Sequence, residues 1–173
     1  YYVVTTNHYY SGKPSNGLDL GDSMPEKYFQ FNDYILGNWN SGGGGIYYYS
    51  NQALTFEEHT GSAYIKAGNY TSLATDTWYT MVGTYDGSSV KFYLDGTLVT
   101  STATTGNITV PGTPMLLGAD PDSNDLSSVS SQTNATYDYV MIYDRALSAS
   151  EISANFNNTE LVDSNLNKTD LLV

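Results

Sequence analysis

No cysteine occurs in this chain, which excludes a disulfide framework, a thiolate metal site and thiol redox chemistry. The compartment stays open on that ground, because exported proteins also go without cysteine. Basic residues are scarce: six Lys and Arg stand against eighteen Asp and Glu, a formal net charge of −12. With no Lys/Arg cluster to offset that charge, nucleic acid is not expected as a partner and anionic membrane surfaces are disfavoured, since their phosphates are repelled. The acidity serves solubility, and divalent cations are left open. No apolar run approaches the roughly 18 residues of a membrane span, so no membrane insertion is expected. Only two histidines, His8 and His59, are present, and no Ser-His-Asp triad can be read from them.

Helical periodicity is nearly absent as well, and what replaces it is a series of short alternating runs rich in Thr, Tyr and Val between Gly/Asn/Asp/Ser clusters. That is the all-β signal. Strands are predicted over Tyr1–Thr6, Tyr34–Gly37, Ile46–Ser50, Ala53–Phe56, Ala63–Lys66, Trp78–Tyr85, Val90–Leu94, Thr97–Thr100, Met115–Gly118 and Tyr137–Tyr143. Ten short strands of this kind suit a two-sheet antiparallel β-sandwich, or jelly roll, formed by residues 1–173 as one domain. Asn7 to Asp33 and Asp120 to Thr136 are expected as long loops, and Gly42–Gly45 as a flexible turn. The chain opens on YYVVTT with neither Met nor a basic leader, which implies processing or excision from a longer polypeptide. Seventeen tyrosines and the scarcity of Lys, Arg and Glu match exported β-rich proteins.

The stretch YDGSSVKFYLDGT holds two Asp-Gly pairs, Asp86-Gly87 and Asp95-Gly96. Asp-Gly between alternating apolar runs supplies the positive-φ residues of a type I′ hairpin turn. Both aspartates are therefore assigned to turns in preference to metal ligands or catalytic acids. Trp78, at the start of WYTMVGTY, is assigned to the core. One helix is predicted in LSASEISANF: Ser148 precedes Glu151 at the capping-box spacing, and Ile152 and Phe156 share a face for docking on the sandwich.

Three blocks in order, TDTWYTMVGTYDGSSVKFYLDGTLV, PMLLGADP and YDYVMIYDRALSASEI, resemble the laminin-G-like domains of the concanavalin A-like lectin/glucanase superfamily, of microbial and viral type, over about Thr75 to Phe156. The resemblance implies a two-sheet antiparallel jelly roll, a fold used for glycan binding, protein binding and structural packing alike. It also implies a first strand ahead of YYVVTT that this chain lacks. The tail Glu160–Val173, ending in LLV, or a neighbouring chain is expected to complete that sheet edge.

The resemblance further implies a calcium ion near a sheet edge, with Asp138 as the ligand carried over from the family. Asp120, Asp122 and Asn124 form D-x-D-x-N, but Asp125 stands where an EF-hand needs glycine and Ser131 where it needs glutamate. A solvated acidic loop is preferred there over a calcium loop. For sugar binding, Trp39 in GNWNSGGGG, its neighbours Asn38 and Asn40, and Tyr48 within the Tyr47–Tyr49 run are the candidates, against ordinary packing as the alternative for the tyrosines. The superfamily's hydrolases need two carboxylates about 5 Å apart, commonly E-x-D-x-E on one strand, and no such pattern occurs here. Glu57 and Glu58 are adjacent and point to opposite faces of a strand, and His59 is expected in an exposed turn. Five N-x-S/T sequons, at Asn69, Asn107, Asn134, Asn157 and Asn167, compare with roughly three expected by chance.

The expectation is therefore a non-catalytic recognition or adhesion module at an extracellular, cell or virion surface, binding a glycan or a surface protein with calcium as its one candidate cofactor. The alternative is a structural or assembly subunit that packs against other copies or chains. A glycoside hydrolase is the remote third.

Overall fold

The computed structural model describes residues 2–9, 33–37, 43–48, 54–60, 63–70, 73–74, 77–109, 112, 114–121, 128–130, 133 and 135–157; for 2–9, 33–34, 69–70, 120–121, 129–130, 136 and 138–139 it describes the course of the backbone. Along these residues run β1 (Tyr2–Tyr9), β2 (Asp33–Gly37), β3 (Gly45–Tyr48), β4 (Leu54–His59), β5 (Tyr64–Tyr70), β6 (Trp78–Tyr85), β7 (Ser89–Leu94), β8 (Thr97–Ala103), β9 (Leu116–Leu117), β10 (Asp120–Pro121), β11 (Val129–Ser130), β12 (Ala135–Tyr143) and the helix α1 (Ala149–Asn157). Two five-stranded antiparallel sheets, β12-β1-β6-β7-β8 and β5-β4-β3-β2-β9, form the expected sandwich, beside a small β10–β11 ribbon. The segment expected as a loop from Asp120 to Thr136 thus contributes that ribbon and the start of β12. β1 runs to Tyr9, three residues past its predicted end, and lies inside its sheet between β12 and β6.

The interior is built from alternate residues of each sheet. Ile35, Ile46, Leu54 and Phe56 from one sheet and Met81, Val90 and Phe92 from the other are all 0% exposed. Removing each such side chain from water contributes about 2 kcal/mol. Gly83, in the central strand β6, lies against Phe56 across the gap: a Cβ there would overlap the Phe56 ring, at 2.5 Å from Cε2 and closer to Cγ and Cδ2. On one side the sandwich is sealed, with β8 against β5 and the Thr102 hydroxyl donating to the Lys66 carbonyl at 2.6 Å. On the other side β12 and β9 are the edge strands among the described residues.

The hairpin turns follow the sequence closely. Asp95 has φ 49° and Gly96 φ 74°, the positive-φ pair of a type I′ turn. Asp95 does more than turn: its Oδ1 accepts the Thr80 N–H at 2.8 Å, and its own N–H donates to the Thr80 carbonyl at 2.8 Å. Asp95→Ala keeps the strained φ and removes that acceptor, so it is expected to lower the urea midpoint by an amount worth about 1–2 kcal/mol, whereas Asp95→Asn stays near wild type. Equal midpoints for the two variants would remove the turn from the account of stability.

Three expectations are corrected. Trp78 is 48% exposed instead of core. The β6–β7 ladder begins at Met81↔Leu94 and the chain then turns at Asp95, so no strand of that hairpin lies beside Trp78, whose ladder partner is His8 on β1. Gly44 and Gly45 are buried, not a flexible turn: a Cβ on Gly45 would lie 2.6 Å from Gly37 Cα and overlap the Leu36 carbonyl, so glycine permits the close approach of β2 and β3. In α1 the capping box forms, with Ser148 Oγ accepting the Glu151 N–H at 3.2 Å and Glu151 Oε2 accepting the Ser148 N–H at 2.7 Å. Ile152 docks at 1% exposure, but Phe156 is 44% exposed and the second buried position is Asn155. The helix meets the rim of the sheet beside β8, where Phe156 packs over Gly96 and leaves its far side in solvent.

Candidate functional site

At one end of the sandwich the β6–β7 turn, the segment after β8 and the connection into α1 enclose a shallow open depression lined by Tyr85, Asp86, Gly87, Gly106, Asn107, Ile108 and Ala146. Its walls are tied by the Tyr85 hydroxyl, which donates to the Gly106 carbonyl at 2.6 Å. The Asp86 carboxylate there is already saturated. Oδ1 accepts the N–H groups of Ser88 and Ser89 at 2.9 and 2.8 Å and the Ser88 hydroxyl at 2.7 Å, and Oδ2 takes the Lys91 ammonium at 2.6 Å. The Lys91 contact and these donors hold the carboxyl well below the usual carboxylate range. A group so occupied organises the turn and has no lone pair to spare for a ligand.

The acidic pair on β4 is buried, which the sequence did not signal. Glu57 is 0% exposed, with Oε2 3.2 Å from the Lys66 ammonium on β5. Glu58 follows Phe56 on the interior face, is 7% exposed, and lies over Gly44, where a Cβ would come within 2.5 Å of its Oε2. Burial first, and then the neighbouring Glu57 charge, push the Glu58 carboxyl up to about 7. The strand alternation sends the two carboxyls to opposite faces of the sheet, so they do not flank a common substrate position. His59 closes β4 half-buried, not in an exposed turn, with Nδ1 2.8 Å from Thr109 Oγ1 and its ring edge-on to Tyr64 at 4.7 Å.

Of the residues proposed for sugar contact, Asn38, Trp39 and Asn40 belong to the connection between β2 and β3 and lie outside the described residues. Tyr48 is a correction: it is 3% exposed and part of the core cluster, because its position on β3 faces the sandwich interior. Two rings among the described residues are about half open to solvent, Trp78 on β6 and Phe156 on α1. The parity of WYTMVGTY carried the signal for the first, since Trp78 alternates in step with Thr80 and Thr84, on the face away from the interior-facing Gly83.

Asp138 falls where the β1–β12 register shifts, so that Asp138 and Tyr139 oppose the single residue Thr6, a β-bulge. Its side chain is outside the described residues, as are that of Asp120 and all of Asp122 and Asn124. Among the described residues no three His, Asp or Glu side chains gather into a set that could hold a metal ion, so these residues do not by themselves assemble a calcium site.

A laminin G family model described as concanavalin A-like lectin/glucanases superfamily matches residues 24–153. No curated protein matches the chain. Among solved structures, the CBM40 of the Ruminococcus gnavus IT-sialidase, bound to α2,3-sialyllactose, is similar with a TM-score of 0.58 and 11% identity, over 90% of this chain and 81% of that one. A heptameric SAP-like pentraxin from Limulus polyphemus is similar with a TM-score of 0.56 and 13% identity, over 88% and 67%. The binding domain of Paraclostridial Mosquitocidal Protein 1 gives a TM-score of 0.56 and 15% identity, over 90% of this chain and 36% of that one.

Proposed function

Because the chain belongs to the concanavalin A-like lectin/glucanases superfamily, we propose that it is a non-catalytic recognition module, binding a glycan or a surface ligand at an extracellular or virion surface. The observation that carries this reading is Trp78, a large flat ring 48% exposed on a strand of the five-stranded sheet β12-β1-β6-β7-β8. An indole held open on a strand loses little conformational entropy on contact and offers its apolar face to the C–H face of a sugar ring. The fold neighbour that binds sialyllactose supports sugar contact as a use of this architecture. The absence of catalysis is supported by Glu57 and Glu58, which diverge across the sheet instead of converging on one bond. Trp39 with Asn38 and Asn40 is the second candidate contact set, and calcium held through Asp138 the candidate cofactor.

Tryptophan fluorescence titrated with oligosaccharide hits from a glycan array tests the assignment. Trp78→Ala is expected to weaken binding by about 2 kcal/mol, about 30-fold, while leaving the melting temperature near wild type. Unchanged affinity in that variant moves the site to the Asn38–Asn40 connection, and an array without hits removes the glycan reading.

A second reading, assembly with other copies, is favoured by the strands that form the sheet edges among the described residues. Ile142 on β12 and Leu117 on β9, two of those edge strands, are 47% and 45% exposed. Apolar residues on edge strands invite another chain. Size-exclusion chromatography with light scattering separates the two: a stable lone monomer counts against assembly.

A further inference from the structure

We propose that the glycan this protein takes is uncharged, and that acidic sugars bearing sialyl, sulfate or uronate groups are turned away. This rests on the recognition reading above and narrows its ligand class. A sugar carboxylate or sulfate is held by a guanidinium fork or an ammonium with N–H groups to spare. The chain has one arginine, Arg145. Its fork is occupied from within: Nη1 donates to Glu151 Oε2 at 3.0 Å, Nη2 to Glu151 Oε1 at 2.7 Å, and Nη1 also reaches the Ala146 carbonyl at 3.3 Å. Glu151 is in turn the capping-box residue of α1, so turning Arg145 toward a ligand strips a partner from the helix start.

The two lysines among the described residues are each paired with a carboxylate of the fold. Lys91 lies 2.6 Å from Asp86 Oδ2 within the saturated β6–β7 turn. Lys66 lies 3.2 Å from Glu57 Oε2, and Glu57 is fully buried, so withdrawing Lys66 weakens the compensation of a charge inside the sheet. All three described cations are therefore already paired with carboxylates of the fold, and the remaining basic residues, Lys13, Lys27 and Lys168, lie outside the described residues.

The net charge of −12 adds a field that no local rearrangement removes. Spread over a sphere of about 20 Å radius, it weakens the approach of a singly charged anion by about threefold at 0.15 M ionic strength and about tenfold at 0.01 M. A neutral sugar feels neither term. It needs a ring face, which Trp78 offers, and uncharged donors and acceptors, which this Asn-, Ser- and Thr-rich chain has in abundance.

The test is an array of neutral oligosaccharides printed beside sialylated and sulfated derivatives of the same cores. The full chain is applied in calcium-containing buffer at about 0.01 M and about 0.15 M salt, the range over which screening changes most. Binding is expected on the neutral cores at both salts, with acidic derivatives at least threefold weaker at the higher salt and further behind at the lower. Arg145→Gln is expected to leave the pattern unchanged. Acidic derivatives bound as well as or better than their cores, or acidic signals lost in Arg145→Gln, overturn the inference while the recognition reading stands. Silence across the whole array removes the glycan reading, and this inference with it.

Discussion

Gly83→Ala is expected to lose about 3 kcal/mol of folding stability, although it adds only a methyl group. On entropy alone the change favours folding, because alanine has fewer unfolded conformations than glycine and suits a strand better. The cost comes from where the methyl group must go. Gly83 sits in the middle of β6, paired with Val3 of β1 and Phe92 of β7, and faces Phe56 across the sandwich. The added Cβ would overlap the Phe56 ring, and that ring is 0% exposed beside Ile46 and Leu54, both also 0%. No rotamer releases it into solvent, so the two sheets must separate locally or the ring must leave its minimum. Shrinking the partner should recover part of the loss: Phe56→Leu in the Gly83→Ala background is expected to be less damaging than the two single changes summed, by about 1 kcal/mol. Urea midpoints of the four proteins in this cycle decide the matter. A Gly83→Ala midpoint at wild type would mean the sheets do not meet at this point.

Much of this architecture can be read from residues close in sequence. The β6–β7–β8 run is legible because its alternation and its two Asp-Gly turns are local, and φ at Asp95 and Gly96 is set by those residues themselves. The capping box of α1 is legible for the same reason, since Ser148 and Glu151 satisfy each other within one turn. What is not legible depends on what lies across a sheet. Nothing near Glu57 and Glu58 in sequence says that both faces of β4 are buried, and an acidic pair normally reads as surface. Trp78 errs in the other direction: a tryptophan in an apolar run reads as core, yet the β6–β7 ladder stops at Met81 and the residue is left 48% exposed. Gly44 and Gly45 read as a hinge because the close approach that demands them comes from β2, and from a carboxyl thirteen or more positions away. For the candidate site, residue type pointed to aromatic and amide contact, while the exposure of Trp78 in place of Tyr48 was decided by topology.

Glu58 makes stability fall as the pH rises. Its carboxyl titrates near 7 in the folded protein and near 4.5 when unfolded, the difference arising first from burial. Below about pH 4.5 both states carry the proton and the group is silent. Between the two values the folded chain keeps a proton that the unfolded chain releases, so each step up in pH favours unfolding. Above about 7 both states are ionised and the full penalty, roughly 3 kcal/mol, is in force. Glu151 and Asp86 act with the opposite sign. Glu151 is lowered to about 2, chiefly by Arg145, and Asp86 falls lower still, so the stability they contribute is lost only in strong acid, and solvent screening keeps it small. The two trends leave an optimum near the ordinary carboxylate pKa, on the acidic side of neutrality. Urea midpoints are accordingly expected to fall from about pH 4.5 to about pH 7.5 in the wild type, and to hold level in Glu58→Gln, which keeps the shape without the charge. Glu58→Gln should then be the more stable protein at mildly alkaline pH, by up to the same roughly 3 kcal/mol less whatever its amide fails to bond. A wild-type midpoint that rises across this range, or a Glu58→Gln profile with the same slope as wild type, would show that the interior carboxyl is ionised in the native sandwich.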